Sequence, residues 1–167
     1  MHYDKIQWKK NVIAIRDKDY QVKPTSNNIF YYDWCCLEMM LIYNDEVFES
    51  IVAEYYNGSL SANVLRETIL EQLQFLSLIR KDNEQNDKRL KLRDLPLPKA
   101  FNENTQKLDE NIIIVEIKTR NPQYVHNENS EVLSLEELLD ITQGHDFTKL
   151  LATICNSVQK KELKTRK

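Results

Sequence analysis

Three residues carry the one arrangement in this chain with a mechanistic reading: Asp94, Glu116 and Lys118. Glu116 and Lys118 flank Ile117 at the end of the apolar run Ile112-Ile113-Ile114-Val115. On a strand, a spacing of two places both side chains on one face, roughly 7 Å apart. A carboxylate there, joined by Asp94 from upstream, would hold Mg²⁺ or Mn²⁺, and the ammonium would orient an attacking water. Glu38 is a further acid that the helical region would have to deliver. The competing reading is that Glu and Lys at an exposed strand end guard a sheet edge and do no chemistry.

An apolar strand ending in E-x-K, with an acidic residue ahead of it, resembles the core of the PD-(D/E)xK nucleases. The resemblance runs from Asp94 to Lys118, and Pro96 follows Asp94 by two positions where the family pattern has a proline just before the acid. It implies a metal-dependent nuclease with Asp94 and Glu116 as ligands of Mg²⁺ or Mn²⁺, Lys118 as the third catalytic group, and nucleic acid as the partner.

Other chemistry is scarce. The chain has 2 glycines in 167 residues, where ordinary usage gives about twelve. That shortage removes the glycine-built phosphate loops, dinucleotide turns and nucleophile elbows. His2, His126 and His145 show no zinc-ligand spacing. Cys35, Cys36 and Cys155 are an odd count with two neighbours in sequence, which gives no disulfide framework and reads as reduced, buried thiols. The net charge of -3 is too balanced for a protein that wraps duplex nucleic acid, and the basic run at 160–167 reads as a solvated helix end.

The leading reading is therefore a non-catalytic protein, a subunit or adaptor of a larger assembly, without a cofactor and with other proteins as partners. A blocker of one specific enzyme is indistinguishable from an adaptor at this level. The candidate contact residues are Tyr31, Tyr32, Trp34, Met39 and Met40, because aromatic and Met side chains are enriched at protein interfaces. The alternative reading is that they cover a sheet from one side. The N-terminus shows no signal-peptide pattern, and the longest apolar runs fall far short of the ~20 residues of a membrane span. The expected location is intracellular, cytoplasmic or nuclear, with no membrane contact.

The elements that must position these groups follow from periodicity. Residues 11–22 predict a hairpin turning at Arg16-Asp17-Lys18-Asp19. From 30 to 80 apolar residues recur at helical spacing, with Asn44-Asp45 able to start a second helix and Ser59 or Ser61 a third. The stretch 81–89 is charged and reads as a mobile loop. Leu90, Leu92 and Leu95 predict a strand near 90–95 that Pro96 and Pro98 stop, and 111–119 predicts a strand covered on both faces. Ser134-x-x-Glu137 is a capping box, Gly144 is placed to end its helix, and Asp146 to cap a last one running to about 163. The sum is a single α+β domain over 1–167, a small sheet packed by amphipathic helices in 30–80 and 134–163.

Overall fold

The computed structural model of the protein describes residues 13–18, 20, 28–127 and 131–165, with side chains as far as 161. Two short strands, β1 (Ala14–Arg16) and β2 (Ile29–Tyr31), precede the helices α1 (Leu37–Tyr43), α2 (Asp45–Tyr55) and α3 (Ala62–Gln85). Then come α4 (Leu97–Ala100), the strands β3 (Phe101–Asn102) and β4 (Lys107–Leu108), and α5 (Glu110–Arg120), α6 (Leu135–Ile141) and α7 (Gly144–Thr165). The class is α+β, with helices supplying nearly all of the core.

Short polar side chains set the helix starts. Asn44 accepts from the Val47 N–H at 3.1 Å and separates α2 from α1, and Ser61 opens α3. Ser134 and Glu137 form the expected reciprocal box at the start of α6. Along α3, Leu65, Ile69, Leu73 and Leu76 recur at offsets of four, eight and eleven and are fully enclosed. Around this stripe pack Met39 and Ile42 of α1, Phe48 of α2, Ile113 and Ile117 of α5, Leu138 and Leu139 of α6, and Phe147, Leu150 and Ile154 of α7. Of the apolar face expected of the last helix, Phe147, Leu150, Leu151, Ile154 and Val158, α7 buries Phe147, Leu150 and Ile154 and leaves Leu151 and Val158 half-buried.

The strands depart from expectation. β1 pairs in parallel with β2, Ile15 opposite Phe30, a pairing that the sequence did not suggest. Residues 11, 12, 19, 21 and 22 of the hairpin expected from the sequence lie outside the described residues. Residues 111–119 are not a strand: they form α5. Its ends decide the matter. Asp109 caps it by accepting from the Asn111 N–H, Glu110 stands in the first turn, and Lys118 and Arg120 stand in the last, so the charges complement the helix dipole. The burial of Ile113, Ile114 and Ile117 has helical spacing, and a four-residue apolar run alone cannot separate the two states.

Residues 90–95 are irregular rather than a strand. Arg89 and Asp94 take φ of 55° and 52°, which breaks an extended chain on both sides of Leu92. Leu92 and Leu95 are still buried, anchored because the Lys91 N–H donates to Asn121 Oδ1 at 2.8 Å. The charged stretch at 81–89 is a helix through Gln85, followed by a turn at 86–87 and irregular chain at 88–89. Trypsin is therefore expected to cut after Lys88 or Arg89, which are exposed, before it cuts at the buried Arg66 or Arg80 within α3. Peptide mapping of the first fragments checks this, and early cleavage at Arg66 would contradict α3.

Gly144 begins α7 instead of closing α6. A Cβ there would stand 2.9 Å from Cys36 Sγ and closer still to the Glu38 side chain. Only glycine lets the start of α7 approach α1 this closely, and the Gly144 N–H donates to Cys36 Sγ at 3.3 Å. Asp146 does not cap α7. Its carboxylate is buried and takes both Arg80 Nε, at 2.6 Å, and Arg80 Nη2, at 3.0 Å, joining α7 to α3.

The chain around β1 is tied to α6 by polar groups. Lys18 pairs with Asp140, and the Tyr20 hydroxyl donates to the Ile141 carbonyl at 3.1 Å. Burial pushes the Tyr20 phenol far above its ordinary value, reinforced by the charges of Cys35, Asp146 and Glu84 against the opposing pull of Arg80. The folded state thus holds this proton more tightly than the unfolded chain. Its contribution is complete below the unfolded value of about 10 and is lost as pH rises toward the folded one. Urea midpoints measured from about pH 8 to about pH 11 should fall more steeply for the wild type than for Tyr20→Phe. Parallel curves would mean that Tyr20 is solvated.

Candidate partner-binding surface

The aromatic and Met residues singled out in the sequence fall into two groups. Met39 is fully enclosed in the core, so it offers nothing to a partner. The i, i+3 pair Met39 and Ile42 is what α1 buries. Tyr31, Tyr32, Trp34 and Met40 are half-buried. Trp34 leans on the Tyr43 ring at 5.1 Å with a 57° tilt, and Arg16 lies 5.6 Å from the centre of the Tyr31 ring. The Tyr32 N–H donates to the Arg16 carbonyl at 3.3 Å, continuing the β1–β2 pairing by one residue.

The outward side of α1 carries large apolar residues. Leu37 and Leu41, four apart and so on one face, are each 46% exposed, as is Tyr43. Near them in the chain, the cross-strand pair Ile15 and Phe30 is 64% and 53% exposed. Parallel strands are ordinarily covered on both faces, and here one face of β1–β2 is apolar and open.

Two devices hold α1 in place. Arg66 of α3 donates from Nη1 to the Tyr43 carbonyl at 3.1 Å and from Nη2 to Asp45 Oδ1 at 2.5 Å. Its guanidinium lies 5.2 Å from the Phe48 ring centre, so the α1–α2 corner is clamped on α3. At the other end Cys35 and Cys36 are buried, and the Cys35 N–H donates to the Leu139 carbonyl at 3.3 Å. A hydrogen bond from the Cys35 side chain lowers the Cys36 thiol against the opposing effect of burial. Burial raises the Cys155 thiol. None of the three cysteines is exposed, as the sequence implied.

Asp94, Glu116 and Lys118 do not form the arrangement that their spacing implied. On α5 a separation of two residues is about 200° of rotation, which sends Glu116 and Lys118 to different sides of the helix. Glu116 accepts from Arg120 Nε at 2.6 Å, and Arg120 Nη1 donates to the Arg93 carbonyl at 2.6 Å. Asp94 turns its carboxylate to Arg93 Nε at 3.5 Å and to His145 Nε2 at 3.7 Å. Each acid thus has its own cation, and Arg120 stands between Glu116 and the chain at Asp94. Glu38 is exposed on α1, beside Gly144. Among the described residues no group of three or more His, Cys, Asp or Glu side chains is placed to hold a metal ion. The likeness to the nuclease core therefore loses the strand end on which it rests.

Asp94 and His145 line an open polar cleft of about 420 Å³ together with Arg80, Asn83 and Gln143. Its buried cation, Arg80, is held by Asp146, so the groups it presents are solvated ones. No helix among the described residues is long and apolar enough to cross a membrane. Comparison with family models, with curated proteins and with solved structures gives no match to this chain.

Proposed function

We propose that the protein is a non-catalytic subunit or adaptor, acting inside the cell, that binds another protein through the outer face of α1. The observation that carries this reading is the apolar outward side of α1. A seven-residue helix buries only Met39 and Ile42, and turns Leu37, Leu41 and Tyr43 to the outside. Large apolar side chains held outward on a clamped element lose little conformational freedom when a partner covers them, which favours binding. The open Ile15–Phe30 pair, and Trp34 tilted against Tyr43, supply the aromatic character that interface centres share.

The test is affinity purification of the tagged chain from its native cell, wild type beside Leu37→Asp/Leu41→Asp. Both leucines are half-exposed, so the double variant should fold and melt as the wild type does. The expected result is a stable set of co-purifying proteins that the variant loses. The same set on both proteins would remove α1 as the contact surface.

A further inference from the structure

A second surface lies on the other side of α3. Helix α5 packs chiefly on α4, while α3 packs on α6, α7 and α2. The space between α3 and α5 is left as a groove of about 1070 Å³. Phe75 and Leu78 of α3, Leu108, Ile114 of α5 and Tyr124 give it an apolar floor. Phe75, Leu78 and Tyr124 are only half-buried, so this floor is incompletely covered. One wall runs along α3 from Glu71 to Gln85, about 21 Å at 1.5 Å per residue, the length of roughly four helical turns.

The rim has one dominant sign. Five carboxylates, Glu71, Asp82, Asp109, Glu110 and Glu131, face two ammonium groups, Lys81 and Lys88. Lys88 is paired with Asp82. Glu71 on the α3 wall and Glu110 on the α5 wall are both exposed. Such a rim repels phosphate, which disfavours nucleic acid and anionic lipid alike. It favours a cationic partner, and the apolar floor requires that the partner also bring apolar side chains.

We propose that the α3–α5 groove docks a basic amphipathic helix of a protein partner, its apolar stripe on Phe75, Leu78 and Ile114 and its Lys or Arg side chains against Glu71 and Glu110. Helix-in-groove binding places residues at i, i+3, i+4 and i+7 into a floor of this kind, while rim charges set orientation and exclude other partners. This surface is separate from α1, and its fate does not depend on the reading of that helix.

The probe is a synthetic peptide of about four turns with Leu at i, i+3, i+4 and i+7 and Lys elsewhere, its binding to the full chain followed by fluorescence anisotropy. A scrambled peptide of the same composition and one with Glu for Lys are the controls. The patterned basic peptide should bind, and both controls should bind at least about tenfold more weakly. Glu71→Lys/Glu110→Lys, which changes exposed residues only, should cost a similar factor; the melting temperature should fall only slightly, because Glu110 stands in the first turn of α5, and a circular dichroism spectrum that overlays the wild type shows the fold intact. Amide shift changes on titration should centre on Phe75, Leu78 and Ile114. Equal binding of the scrambled peptide, wild-type affinity in the double-lysine variant, or shift changes centred away from the groove would each overturn the proposal.

Discussion

Arg80→Met is expected to cost about 3–5 kcal/mol of stability, a large share of what a chain of this size has. Arg80 and Asp146 are both buried, and their two hydrogen bonds run in parallel across the α3–α7 contact. Removing the guanidinium leaves a carboxylate enclosed without its cation. Desolvation, rather than the lost attraction, dominates that cost. Replacing both residues together, as Arg80→Met/Asp146→Leu, removes the stranded charge and should recover much of the loss. Exposed pairs such as Arg89–Asp87 should matter little, because solvent screens them. Urea unfolding of the single and double variants checks the contrast. A single variant that unfolds with the wild type would show that α3 and α7 are not joined there.

How much of this was legible in the sequence differs from one element to the next. The starts of α2 and α3 and the box at Ser134 were readable because capping is local chemistry between residues two or three apart. The stripe on α7 was readable because five apolar residues over a dozen positions define a period. α5 was not, since Ile112 to Val115 has no period of its own and its caps, Asp109 and the Lys118–Arg120 end, decide the state. The same misreading carried the candidate site with it: Glu116 and Lys118 share a face only if the backbone is extended.

The face of α1 was hidden for a different reason. Leu37 and Leu41 fit the apolar period as well as Met39 and Ile42 do, and nothing local says which pair points inward. That choice rests on tertiary contacts, among them the close approach of Gly144, more than a hundred residues away, to Cys36 and Glu38. The Arg80–Asp146 pair is equally non-local. Asp146 had a complete local explanation as a cap, and its real partner is 66 positions distant. The α3–α5 groove needs both helices in place before it exists at all.

Phe147→Ala is the second large effect, at about 3–5 kcal/mol. Phe147 is fully enclosed and meets Phe48 edge to face, with ring centres 5.9 Å apart and planes at 69°. This contact joins α2 to α7, and truncation opens a cavity among Leu and Ile side chains that cannot all move inward. Phe147→Leu keeps most of the volume and should cost much less. Denaturant midpoints of the pair measure the difference. Equal behaviour of Ala and Leu would mean that residue 147 faces solvent and that α7 is rotated from the orientation described.

The proposed reading is of a chain that works by the surfaces it presents, with no metal chemistry at Glu116. The direct measurement is the melting temperature with and without Mn²⁺, for the wild type and for Glu116→Gln, read beside a nucleic-acid cleavage assay. Glu116 is committed to Arg120 on a helix, so Mn²⁺ should leave the wild-type melting temperature unchanged and no cleavage should appear. A ligand that binds only the folded state raises that temperature by mass action. A Mn²⁺-dependent rise that disappears in Glu116→Gln, together with cleavage lost in the same variant, would contradict the account and place a catalytic metal at this residue.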